Sequence, residues 1–175
     1  MKYCAFLRGV NVKGTAMKMA EVIEVFKNTG VKNVSSVLAT GNILFDSEEN
    51  PEKLKAILEK SLSDYFNYEA FLFIKTEEEI KQILETSPFE KAENFHIYSF
   101  ICENSNENIL LEEFKKMNHQ KGEEAKIINQ NFYWKIVKGN TLESEFGKVL
   151  GKKAFKDIFT SRNINTIEKI VNKFN

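Results

Sequence analysis

The sequence predicts an α+β protein built from two ferredoxin-like α-β plaits. Each is an antiparallel sheet with helices on one face, and an extra helix closes the C-terminus. Three observations predict it. Apolar periodicities from Lys2 to Ile74 follow the order β-α-β-β-α-β, the split β-α-β arrangement. From His96 the order β-α-β-β-α returns, element by element and without a residue-level repeat. Between them, Ser87-Pro88 and the irregular stretch Phe89 to Phe95 mark a junction, so the domains are expected at 1–88 and 89–175.

Taken in order, Lys2 to Arg8 reads as a strand apolar on both faces, with Tyr3, Ala5 and Leu7 on one and Cys4 and Phe6 on the other. A glycine-bearing loop leads to a helix over about Lys18 to Asn28, with Met19, Val22, Ile23 and Phe26 on one stripe and Gly30 as its stop. Asn33 to Ala39 is a weaker strand. Thr40-Gly41-Asn42 is a hairpin turn before the strand that starts Ile43-Leu44-Phe45. Asn50-Pro51 starts a helix, Asn as N-cap and Pro at N1, that runs to about Phe66. Tyr68 to Ile74 is the fourth strand. Thr76 and Glu79 form a capping box for a short helix with Ile80, Ile83 and Leu84.

The second half opens with a strand from His96 to Cys102 and a helix marked by Leu110, Leu111, Phe114 and Met117. Ala125 to Ile128 and Phe132 to Val137 form a hairpin across Asn129-Gln130-Asn131. Leu142, Phe146, Val149 and Leu150 mark a helix, and an extended piece near Phe155 to Phe159 is expected to be the last strand. The terminal helix carries Ile167, Ile170, Val171 and Phe174, capped by Asn163 or Asn165. Each sheet would leave an apolar face wet, so two plaits packed on each other is the economical arrangement.

The bulk composition excludes several classes. Lys+Arg and Asp+Glu balance at 25 each, which argues against a dedicated nucleic-acid binder. The two cysteines, Cys4 and Cys102, lie far apart in apolar runs with no CxxC or Cys/His cluster, which points to free thiols, no metal and no cofactor. No run approaches 18 apolar residues, and the N-terminus lacks a signal-peptide pattern, so a cytoplasmic protein without membrane contact is expected. Oligomeric state is not legible.

At this point the residues resemble a family. Tyr3, Phe6-Leu7-Arg8-Gly9-Val10-Asn11-Val12-x-Gly14 and the following Met19 are similar to the opening of domain-of-unknown-function family 1697, a group of bacterial proteins. Thr40-Gly41-Asn42-Ile43-x-Phe45 resembles its S-G-N-V-x-F, and Thr160-Ser161-Arg162-Asn163-Ile164-Asn165-Thr166 its T-T-R-N-W-N-T. Lys13 stands where the family pattern has a first glycine, Thr40 for its Ser and Ile164 for its Trp. The resemblance implies two ferredoxin-like units and implies no activity.

The loop after the first strand is the leading candidate site, with Arg8, Gly9, Asn11, Lys13, Gly14 and Lys18 as contacts. Glycine lets backbone approach a ligand, helix-start amides attract anions, and Arg and Lys suit phosphate or carboxylate. A small anionic ligand is the expected partner. The bland alternative is a tight β-α connection, and no GxGxxG or GxxxxGK[ST] is present. Thr40, Gly41 and Asn42 form a secondary candidate. The first and third strands are expected to run parallel, which would put this turn and the first loop at opposite ends of the sheet, roughly 17–20 Å apart. The turn would then be hairpin chemistry or a separate surface. Arg162, Asn163 and Thr166 are a third candidate, either an anion clamp or a helix cap tied down by an Arg salt bridge. His96 and His119 have no nucleophile or acid at motif spacing. Phe132, Tyr133 and Trp134 read as core rather than a base-stacking platform, because no RNP1 pattern accompanies them. The function expected is a small-ligand or anion-binding module. The alternatives are an enzyme that clamps its substrate with the first loop, its acid or base not visible, and a plait that binds nucleic acid or protein.

Overall fold

The computed structural model describes residues 1–10, 17–103 and 106–174. The chain divides into two compact units, Met1–Ile80 with Lys169–Asn175, and Lys81–Glu168. Each holds a four-stranded, wholly antiparallel sheet, so both halves are ferredoxin-like plaits.

In the first unit β1 (Lys2–Arg8), β2 (Lys32–Ser36), β3 (Asn42–Asp46) and β4 (Phe71–Thr76) lie in the order β2-β3-β1-β4. The helices α1 (Met19–Asn28) and α2 (Pro51–Phe66) follow β1 and β3. They cover one face, where Tyr3, Ala5 and Leu7 meet Val22, Val25 and Phe26 of α1 and Leu54, Leu58 and Leu62 of α2. The other face carries Cys4, Phe6, Leu44 and Phe73, also buried, which explains why β1 reads apolar at every position. The Asn50 side chain accepts from Lys53 N at 2.9 Å, so α2 starts where its Asn-Pro signal puts it. The helix ends on Asn67 in the left-handed conformation.

The pairing of β1 with β3 corrects the sequence expectation. The two strands are antiparallel, with Phe6 opposite Asn42 and Lys2 opposite Asp46. The chain leaves β1 at the end of the sheet where it enters β3. Crossing helices make β1 parallel to β2, and the β2–β3 hairpin then reverses direction. Parallel β1 and β3 therefore do not occur in this order. The turn at Thr40-Gly41-Asn42 and the exit of β1 are neighbours, not opposite poles.

In the second unit β5 (Phe95–Cys102), β6 (Glu124–Ile128), β7 (Asn131–Val137) and β8 (Phe159–Asn163) repeat the order as β6-β7-β5-β8. Helix α4 (Glu107–Lys115) follows β5, whereas α3 (Glu77–Glu85) and the last helix α5 (Ile164–Phe174) each have residues in both units. Asn129 and Gln130 both have positive φ, the geometry of a two-residue hairpin. Phe132, Tyr133 and Trp134 are all fully buried and have no face free to stack a base. Trp134 Nε1 donates to Glu123 Oε1 at 3.0 Å, which satisfies the indole inside the core.

Two elements differ from expectation. The helix marked by Leu142 to Leu150 is a 3-10 segment, Gly147–Gly151, and Leu142 is exposed. Gly147 is pressed so close to the Thr141 carbonyl that any Cβ would overlap it, and its amide donates to Ser144 Oγ at 2.8 Å. That close approach holds the chain in a tighter turn than an α-helix. The last strand is not near Phe155 to Phe159, where a second 3-10 turn, Lys153–Phe155, lies, but over Phe159–Asn163. Its Ser-Arg-Asn residues are polar because β8 is an edge strand, half open to water.

Candidate functional site

The first candidate lies at the exit of β1. Arg8 is the last residue of the strand, opposite Phe71 of β4 and half-buried. Gly9 follows with a φ of 76°, a left-handed backbone that suits glycine. Asn11, Lys13 and Gly14 lie outside the described residues. The neck of the loop is closed by Met17 N donating to Val10 O at 3.4 Å. Lys18 then stands at the N-cap position of α1. It is exposed and makes no side-chain capping bond. A cation at the positive end of a helix dipole is an unfavourable placement.

The turn before β3 is built into this end of the sheet. Leu7 N donates to Gly41 O at 2.7 Å. Gly41 has a φ of 75°, and a Cβ there would come within 2.5 Å of Val10 Cγ2 and 2.9 Å of Leu7 Cβ. Asn42 is fully buried, and its amide donates to Val37 O at 2.9 Å and Thr40 Oγ1 at 3.0 Å. Thr40 is exposed beside it. Gly41 and Asn42 are therefore the wall against which the β1 exit is packed. The Asn42 amide and the Gly41 carbonyl are spent on holding the turn.

Sequence reasoning missed Tyr68. Its hydroxyl reaches Met17 Sδ at 3.7 Å, which puts the phenol beside the loop neck. Burial, with help from the Glu59 carboxylate, pushes its pKa up to about 12. The group stays protonated at neutral pH and can donate a hydrogen bond but cannot serve as a base. Tyr68 lies between Asn67 and Glu69, ahead of the strand and in no motif, so nothing in the sequence sets it apart.

The third candidate belongs to the second unit. Asn163, the last residue of β8, accepts from Asn165 N at 3.0 Å and so caps α5. Its amide nitrogen lies 3.1 Å from His96 Nδ1. Because the oxygen of Asn163 is the acceptor, the nitrogen donates, and His96 presents an unprotonated Nδ1. Arg162 donates to Thr160 Oγ1 and Ser161 O, each at 2.8 Å, along its own strand. Thr166 sits half-buried in the first turn of α5. Beside this corner is a shallow hollow of about 50 Å³ lined by Lys91, Phe95, Lys138, Asn163 and Asn165 among others. Lys91 is paired to Glu168 at 2.8 Å. Among the described residues no group of three His, Cys, Asp or Glu could hold a metal ion, and no helix is long and apolar enough to cross a membrane.

Two antiparallel plaits of the same strand order define the class. The chain belongs to the family described as "Protein of unknown function (DUF1697)", whose model matches residues 1–133. Its fold is similar to the structure of conserved bacterial protein SP0830 from Streptococcus pneumoniae, with a TM-score of 0.79 and 22% sequence identity over 99% of this chain and 98% of that one. Among curated proteins the sequence finds no match.

Proposed function

We propose that the protein binds a small anion at the exit of β1, with Arg8 and Lys18 as cationic contacts and Gly9 allowing close approach of the backbone. The observation that carries this is the start of α1. Lys18 occupies the N-cap of α1 without a side-chain capping bond of its own, a placement of a cation that a bound phosphate or carboxylate would turn from unfavourable to favourable. Such breaches of local preference concentrate at functional positions. The antiparallel β1–β3 pairing supports the same reading, because it backs the loop with the rigid Gly41-Asn42 turn. Asn11, Lys13 and Gly14 belong to the loop and are assigned to the site on sequence alone. The Tyr68 phenol would add a neutral donor at the neck, which suits binding better than proton abstraction.

A thermal-shift screen against inorganic phosphate, nucleotides and acidic metabolites tests the proposal, with Arg8→Ala and Lys18→Ala run in parallel. A ligand at a hundred times its dissociation constant should stabilise the parent chain by about 2.7 kcal/mol. Both variants should lose most of that gain. If no anion moves the parent chain, or if hits shift the variants equally, the β1 exit is not the site.

A further inference from the structure

The strand β4 is an edge of its sheet, and its outward hydrogen-bonding groups would be open to any passing strand. At Leu72 and at the Thr76 amide they are taken by side chains instead. On α2, Lys55, Glu59 and Ser63 recur every four residues and so form one stripe. Lys55 Nζ donates to Leu72 O at 2.5 Å, while Leu72 N donates to Glu59 Oε1 at 3.0 Å. Lys55 and Glu59 are themselves paired at 2.8 Å. Just before the strand, Ala70 N donates to Ser63 Oγ at 3.0 Å. At its far end, Thr76 N donates to Glu79 Oε2 at 2.8 Å. Leu72 and Thr76 share one parity of the strand, opposite Leu7 and Tyr3 of β1, so their backbone groups point the same way.

We propose that the Lys55–Glu59–Ser63 stripe is a built-in guard that closes the β4 edge against pairing with a second copy of this chain. Leu72 is the centre of the guarded segment, because both its donor and its acceptor are occupied. The strand behind it, Phe71-Leu72-Phe73-Ile74, is apolar and uncharged, and that makes it the segment most in need of protection. The Lys–Glu pair imitates a neighbouring strand: an ammonium donates to the carbonyl and a carboxylate accepts from the amide.

The test uses the full chain. A Lys55→Ala/Glu59→Ala variant should self-associate in sedimentation velocity in proportion to concentration, relative to the parent chain. At low concentration its Leu72 amide should exchange about fivefold faster or more, the factor expected for one lost hydrogen bond. Glu59→Gln keeps an acceptor at the same place and should restore both readouts towards the parent, whereas Glu59→Ala should not. If the double variant does not fold, the Glu59→Gln and Glu59→Ala pair decides the matter by Leu72 exchange alone. Lys60→Ala/Asp64→Ala removes an exposed ion pair on the same helix and should leave association unchanged. Unaltered sedimentation and exchange in the double variant would overturn the proposal. So would equal self-association in the Lys60/Asp64 variant, which would place the cause in general loosening of α2.

Discussion

At the scale of single residues, the β1 exit is shaped by one position. Gly41 satisfies two demands that no other residue meets together: a φ of 75° and a contact so close that a methyl group has no room against Val10 and Leu7. Adding that methyl costs about 1–2 kcal/mol for the left-handed backbone and about 1–3 kcal/mol for overpacking. Gly41→Ala should therefore lose about 2–5 kcal/mol, read as a lower denaturant midpoint at unchanged m-value. Gly139, also at positive φ but with open space around it, is the internal control. Gly139→Ala should lose the backbone part alone, near 1–2 kcal/mol. Equal losses at both positions would mean that the packing against Val10 and Leu7 is not tight. The residue type was legible as turn chemistry, but the clash is not, because it depends on β1 lying alongside.

At the scale of elements, signals that act within four residues were readable and signals that act across the sheet were not. The Asn50-Pro51 start, the Asn129-Gln130 hairpin and the Thr76/Glu79 box are all present as expected, since each is made by residues adjacent in sequence. The β1–β3 direction, the position of β8 and the 3-10 turn at Gly147 depend on partners 36 to 65 residues away or on a carbonyl pressed against a glycine. The capping box also carries a pH dependence. Burial pushes the Glu79 carboxyl up, but hydrogen bonds from Thr76 and the charge of Lys75 outweigh it, and the pKa ends below the ordinary carboxylate value. A lowered folded-state pKa contributes stability above the unfolded value, and that contribution is lost as pH falls through the folded value. Acid titration should thus cost the parent chain stability that Glu79→Gln does not show, because Gln keeps the box without titrating. Glu79→Ala should lose about 1 kcal/mol already at neutral pH. Identical acid profiles for the parent and the Gln variant would remove Glu79 from the account.

At the scale of the whole molecule, sequence order and structural membership part company at the terminus. The sequence suggests a sequential division, with the last helix in the second half. The contacts place Lys169–Asn175 with Met1–Ile80. Ile170 and Phe174 are buried, and Lys2 Nζ of β1 donates to Phe174 O at 2.9 Å. The amphipathic stripe of α5 was legible, but not the unit that its last turns serve, since periodicity reports that a face is buried and not against what. Deleting residues 169–175 removes two buried apolar side chains, a loss of about 3–6 kcal/mol. That is a large share of the ~5–15 kcal/mol that holds a domain folded. Hydrogen exchange assigns the loss to a unit. Amides of β1 and β4 should lose protection more than those of β5 and β7, although the deletion is at the far end of the chain. Loss confined to β5–β8 would instead return the whole helix to the second plait.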